Sequence, residues 1–472
     1  MVFSDLFFLF AFLPAFIACY VMAAAVEKGN ALKNAVLVAF SLLFYAWGEP
    51  VYVFLMLACV VANYFFGLGV SRARRWRKLT LALGIAANIA VLGVFKYAGF
   101  IASTLCSWGL PMGVPDIPLP IGISFYVFQS ISYLVDVHRR ESPVQRSFPN
   151  LLLYISMFPQ LIAGPIVRYG TIAHEITHRR TSADDVAAGM TRFMIGLAKK
   201  VILANQLSEI SDLLLDNNLS QLTTTGAWIG IVAFTLQIYY DFSGYSDMAI
   251  GIGRCLGFHF LENFNHPYCC RTITDFWRRW HISLGSFFRD YVYIPMGGNR
   301  RHQAVNILTV WLLTGLWHGA SWNFVIWGAY FGIIVMVEKY TILKLRSRLL
   351  TPLLHLYSLL LVTAGWGIFY FDDFASLHTF FNAFFGMAPT FTNFVSESVW
   401  TDRFWLWAVA LVFCMPLRSW ADRLLHKLTG RHTAAYNAML FVSRLSFSLV
   451  ALAACIALLV GATNNAFIYT RF

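Results

Sequence analysis

The chain has 472 residues, of which 58% are hydrophobic and only 12% charged, about half the charge of soluble domains. Its formal net charge of +12 would suggest nucleic acid in a soluble protein, but here the Lys and Arg fall in short loops between apolar runs, as in the cytoplasmic loops of membrane proteins. Continuous, non-alternating apolar runs exclude a β-barrel and leave a polytopic all-α membrane protein, because a helix satisfies its own backbone in lipid.

Leu6–Ala25 lacks a basic leader and is too long for a signal-peptide core, so it is expected to stay as the first span. Leu32–Trp47 and Val51–Val70 follow, each close to the about 20 residues a span needs. Ser71–Thr80 carries five basic residues and no acid, which places it in the cytoplasm and, counting back, the N-terminus outside. Leu81–Lys96 returns outward, Phe100–Trp108 is short, and Pro111–Pro120 is a proline-rich outer loop. Ile121–Val137 re-enters. Leu151–Ile166, interrupted by Pro159, Gly164 and Pro165, reads as a broken or re-entrant segment. Met190–Asn205 reads as a short interfacial helix ending in Lys199–Lys200, and Trp228–Ile252 as a full span holding Asp241 and Asp247.

Asn263–Gln303 is a charged inner region, and Ala304–Tyr340 is an apolar run broken at GLWHGASW. Pro352–Phe371, Phe404–Leu417 and Phe441–Gly461 cross in turn, with an outer segment Phe374–Thr401 and a basic stretch Arg418–His432 between them. The total is about ten to twelve crossings. No linker, low-complexity tract or repeat divides the chain, so 1–472 is read as a single domain.

The stretch Asp275–Asn323 stands out. It begins with Arg278, Arg279, His281, Arg289 and Asp290 among aromatics, turns at Gly297–Gly298, and from Ala304 becomes a nearly uncharged run whose one ionisable side chain is His318. Ala304 to His318 rises about 21 Å as a helix, past the middle of a hydrocarbon core of about 30 Å. An ionisable residue at that depth is a functional hypothesis by default; the bland reading is a hydrogen-bonded core histidine.

Asp241 and Asp247, with Tyr239, Tyr240, Ser243, Tyr245 and Ser246, suggest an inward-facing polar network; a paired structural carboxylate or an ion path are the other readings. Arg278, Arg279, Arg289, Arg300 and Arg301 fit positive-inside topology, and also a site for an anionic donor, since the Arg fork binds two phosphate oxygens. Trp277, Trp280, Trp317 and Trp322 bracket the two histidines and either wall a channel or pack the core.

Three other patterns carry less. His174-Glu175-Ile176-Thr177-His178 matches HExxH, a zinc-protease motif, but it stands in a polar loop beside Arg179 and Arg180, so a solvated helix face is expected and no metal. Gly251, Gly253 and Gly257 have no strand before them and read as close helix packing. The eight cysteines form no CxxC and suggest neither disulfides nor zinc.

Several stretches resemble the membrane-bound O-acyltransferase (MBOAT) superfamily, in the branch serving bacterial exopolysaccharide acetylation of the alginate or cellulose type. They are PIGISFYVFQSISYLVDV (120–137), AGPIVR (163–168), QIYYDFSGYSDMAIGIG (237–253), NFNHPY (263–268), DFWRRWHISLGSFFRDYVYIPMGGNR (275–300) and LTGLWHGASWNFVIWG (313–328). The resemblance implies a ring of tilted helices with a central tunnel, divided into N-terminal spans (1–137), a catalytic core (138–340) and C-terminal spans (341–472). It implies that His318 of GLWHGA is catalytic, and His281 of WRRWH the second functional histidine. Asp241, Tyr245, Asp275, Trp277, Arg278, Arg289, Trp317 and Asn323 fall in matching motifs and are expected to bind substrate.

The same resemblance implies acetyl-CoA as co-substrate with no bound cofactor, and a bacterial inner-membrane location. It implies a periplasmic serine-esterase-like (SGNH) acetyltransferase partner within a polysaccharide synthesis and export complex. Membrane lipids are expected contacts, and nucleic acid is not. GSFF at Gly285–Phe288 and His266 depart from the branch and leave the polymer open. A transporter of a small acid or lipid-linked sugar is the alternative from another class, on the aspartate-bearing span and the broken helix; a metalloprotease ranks third.

Overall fold

The computed structural model describes residues 2–72, 75–344, 350–429, 434–462 and 467. Among them every regular element is helical. Among the described residues seven helices are long and apolar enough to cross a membrane by length and composition: Phe8–Val26, Ala31–Gly48, Tyr52–Arg72, Arg77–Ser107, Trp322–Lys344, Thr351–Tyr370 and Tyr436–Val460. The sequence count was higher because other apolar stretches fold as shorter, broken or more polar helices. Ile123–Arg139 has 17 residues. Leu151–Ile166 divides at Met157 into Phe148–Ser156 and Phe158–Leu161, the break its prolines foretold.

The described residues pack as two compact units, one drawn from 2–193 and 245–262, the other from 194–244 and 263–468. Nothing in the composition marks the points where the chain passes between them. In the first unit, Phe158 meets the rings of Phe12, Phe16 and Phe44 at 5.2–5.6 Å. Asn63 and Asn88 exchange side-chain hydrogen bonds inside two spanning helices, which satisfies amides that would be costly in an apolar interior. Asp247 binds Arg192, whose guanidinium also takes both oxygens of Glu262.

The HExxH residues form helix α1, Tyr169–His178. His174 and His178 are exposed with rings stacked 5.0 Å apart. Glu175 is occupied by the His259 backbone N–H (3.0 Å) and ring (2.8 Å). Arg179 turns inward onto Tyr20 and Asn34, away from solvent. Among the described residues no three His, Cys, Asp or Glu side chains group to hold a metal.

In the second unit the functional stretch is a series of helices. Helix α2, Thr224–Cys255, supplies it with residues up to Gly244. Then come α3 (Ile273–Arg279), α4 (Ile282–Phe288), α5 (Gln303–His318), α6 (Trp322–Tyr340) and α7 (Thr351–Tyr370). α5 and α6 form a close hairpin through small residues. A Cβ on Gly315 would collide with the Phe324 carbonyl, and one on Gly328 with the Trp311 carbonyl. The helix expected to end in an interfacial Lys199–Lys200 instead continues through a π-helical stretch, Lys199–Ala204, in which Lys200 is buried.

Candidate active site

The α5–α6 hairpin sets His318. It is the last residue of α5, 6% exposed, with Gly319 leaving the helix in extended backbone. Its ring is edge-on to Trp317 (4.9 Å), Trp327 of α6 (5.1 Å) and Phe369 of α7 (5.3 Å). Three helices therefore wall one imidazole with aromatic faces.

His281 lies at the α3–α4 junction. Its backbone is left-handed (φ 45°, ψ 54°), a conformation that is uncommon and worth a reason for any residue but glycine. The reason is local. Asn263 Oδ1 accepts from Ser283 N (3.2 Å) and Ser283 Oγ (2.8 Å), and Asn263 O accepts from Ile282 N (2.9 Å). Because a backbone N–H can only donate, the Asn263 atom facing it is an acceptor. His281 Nδ1, 3.1 Å from the same oxygen, must then carry the proton. That tautomer leaves a lone pair on Nε2, which is buried with no protein partner among the described residues.

Burial pushes the His281 imidazole down to about 3, so it is neutral at any physiological pH. A base of that strength is far from the near-neutral pKa that general-base catalysis favours. It suits a hydrogen-bond acceptor that orients a neighbour.

The two histidines share one indole. Trp317 is buried, 5.6 Å from the His281 ring and 4.9 Å from the His318 ring. Phe242 of α2 meets the His281 ring edge-on at 4.6 Å. The adjacent Asp241 is a buried carboxylate bound to Lys200 Nζ at 2.8 Å. Of the readings open in the sequence, this is the paired carboxylate, with a lysine as its partner.

The remaining expected residues sort by environment. Trp277 packs among Trp311, Phe331 and Trp327 at 4.8–5.4 Å. Asn323, buried in the first turn of α6, bonds Ser321 through Oδ1, and its Nδ2 has no partner among the described residues. Asp275 accepts from Arg279 (2.9 Å) and from the Arg271 backbone. Arg289 is bound by both oxygens of Asp290 (2.6 and 3.0 Å), which hold its guanidinium above its usual range. Arg278, Arg300 and Arg301 are exposed and have no carboxylate partner among the described residues. Asn299 accepts from Lys339 (2.8 Å), Tyr293 and Gln303, fastening the Arg300–Arg301 loop to the end of α6. Tyr245 belongs to the first unit, where its ring stacks on Phe3 at 4.6 Å.

Asn263, Ser283 and Phe242 do not stand out in the sequence, and Lys200 stands out there only as the end of a helix. NFNHPY and the Ser two residues after His281 were in view, but their link is a tertiary contact with no spacing to reveal it.

Residues 44–378 match the model of the MBOAT, membrane-bound O-acyltransferase, family. The chain is 44% identical over 384 residues to a probable alginate O-acetylase AlgI of Azotobacter vinelandii, covering 78% of this chain and 75% of the relative. It is 36% identical over 372 residues to the peptidoglycan O-acetyltransferase of Helicobacter pylori, covering 72% and 70%. A more distant similarity, 26% over 231 residues, links it to the teichoic acid D-alanyltransferase of Bacillus subtilis, covering 46% and 58%.

Proposed function

This chain belongs to the membrane-bound O-acyltransferase family, and we propose that it takes an acetyl group from cytosolic acetyl-CoA and passes it across the bacterial inner membrane for O-acetylation of an exopolysaccharide of the alginate or cellulose type. It is a multi-pass membrane O-acyltransferase. The donor, acceptor and direction of transfer are our reading; the chemistry at the site is carried by one observation, two buried imidazoles against a single indole. The Helicobacter pylori and Bacillus subtilis relatives are named as transferases, which favours transfer over the transporter reading.

His318 is the general base. Its imidazole takes the proton of an acceptor hydroxyl as that oxygen attacks the thioester carbonyl. The C–S bond then breaks and the sulfur leaves as CoA thiolate, which is protonated to the thiol. The negative end of the α5 dipole lies at His318 and favours the positive charge that the base acquires. Dry aromatic walls protect the thioester from water. Such proton transfer typically contributes about 10²–10⁴-fold. His281, kept neutral, offers its Nε2 lone pair to orient the reacting groups.

Arg278, Arg300 and Arg301 hold the CoA phosphates, because they are exposed and no carboxylate among the described residues neutralises their guanidinium groups. Arg279 and Arg289 serve the fold instead. The immediate acceptor is a periplasmic serine-esterase-like partner, with the N-terminus of this chain on the same side. A peptidoglycan acceptor is the second reading, from the Helicobacter pylori relative.

The test is acetyl-CoA binding by the detergent-purified protein. Affinity should fall steeply with salt, and fall further in Arg278→Ala. No binding at low salt, or binding indifferent to salt, would point to another donor.

A further inference from the structure

The helix leading to His281 starts on a buried carboxylate. Glu338 of α6 has no solvent exposure. It accepts from Ile273 N (2.6 Å), Thr274 N (2.7 Å) and Thr274 Oγ1 (2.7 Å). With Thr272 Oγ1 capping Asp275 N at 3.0 Å, the first three N–H groups of α3 are satisfied by side chains, as helix starts require. A carboxylate is also the favourable charge at that end of a helix. Unpaired it would be expensive to bury, so its full set of donors marks a site where the fold depends on it.

We propose that Glu338 is a positioning residue for acyl transfer: it clamps the start of α3 so that His281, at the far end, is held in register with His318. The geometry runs along a single helix. Trp327, Phe331 and Glu338 lie on one face of α6, spaced by four and seven residues. Trp327 touches His318 at 5.1 Å and Trp277 of α3 at 5.4 Å, and Phe331 touches Trp277 at 4.9 Å. α6 therefore contacts the first histidine near one end and fixes the helix of the second near the other, about 16 Å apart at 1.5 Å per residue. α3 has only seven residues, too few to hold its shape by its own hydrogen bonds. Its placement comes from Glu338 at its start, the aromatic packing of Trp277, and Asn263 just past its end. The inference rests on the reading of His281 and His318 as the working pair.

Glu338→Gln is the incisive variant, because an amide nearly matches the volume but turns an NH₂ group toward donors that need an oxygen. In the full chain in nanodiscs, kcat for acetyl transfer should drop about tenfold, the loss of a hydrogen bond to a charged group. The donor KM should change less than kcat, since of the three phosphate-holding arginines only Arg278 rides on α3. In a His281→Gln background the same change should cost nothing further, because residues acting as one unit are non-additive. A merely structural role would instead give an additive loss in both backgrounds and overturn the proposal. Hydrogen–deuterium exchange of residues 271–281 reads the clamp without substrate: Glu338→Gln should raise it, and unchanged exchange overturns the proposal whatever the donor is. Should the wild type fail to use acetyl-CoA, the donor reading falls while the exchange result still judges the clamp.

Discussion

Two regions of this protein each carry a pair of histidines, and they could hardly differ more in what surrounds them. His174 and His178 stand one helical turn apart on α1, exposed and ring to ring, with the intervening Glu175 engaged by His259. His281 and His318 are apart in sequence, buried, and both pack against Trp317. The first pair matches a known motif and has no enclosure. The second matches no spacing rule and has three aromatic walls, a fixed tautomer and a lone pair with no partner among the described residues. Chemistry on a water-sensitive thioester needs the second kind of surroundings.

The largest effect that separates the regions is expected at His318. His318→Ala should lower acyl transfer by about 10²–10⁴-fold, the usual contribution of a positioned base, with membrane insertion unchanged. Transfer that survives the substitution would remove His318 from the base role.

A smaller effect is expected at His281 and is read as pH dependence. Its folded-state value of about 3 lies below the ordinary 6.5. Between those values the unfolded chain binds a proton that the native protein refuses. Stability is therefore complete above about 6.5 and falls as pH drops toward 3. His281→Gln should flatten that fall in thermal unfolding measured from pH 7 to 5. An identical slope in both proteins would mean that the ring is not held neutral.

The smallest effect belongs to the exposed pair. The double variant His174→Ala/His178→Ala should retain transfer within about twofold, as surface substitutions usually do, and chelators should leave the wild type unaffected. A large loss in either experiment would make α1 a working metal site and reverse the comparison.

Much of this was legible in the chain. His318 stood out because it was the one ionisable side chain in an apolar run, and the break after it followed from GLWHGASW. Trp317 and Asn323 were found with it. What stayed hidden depends on contacts between distant segments. Lys199–Lys200 looks like the positive end of an interfacial helix, yet Lys200 is buried on Asp241, a pairing that follows from the packing of the π-helical stretch against α2. Glu338 sits beside Lys339 and looks like an ordinary inner-surface charge; only the fold reveals that it starts α3. The arginines looked alike in sequence. The structure divides them, because Arg279 and Arg289 have carboxylate partners and Arg278 has none among the described residues. Asp275 and Arg279 were at the i,i+4 spacing that favours a pair, so that half of the division could have been read in advance.

The central claim is that acetyl groups enter from the cytosolic side and leave through His318. Right-side-out membrane vesicles loaded with radiolabelled acetyl-CoA test it most directly. Label should appear in ester linkage on material facing outward, and disappear in vesicles carrying His318→Ala at equal protein level. Label confined to the lumen of wild-type vesicles, or equal outward labelling with the variant, would contradict the account.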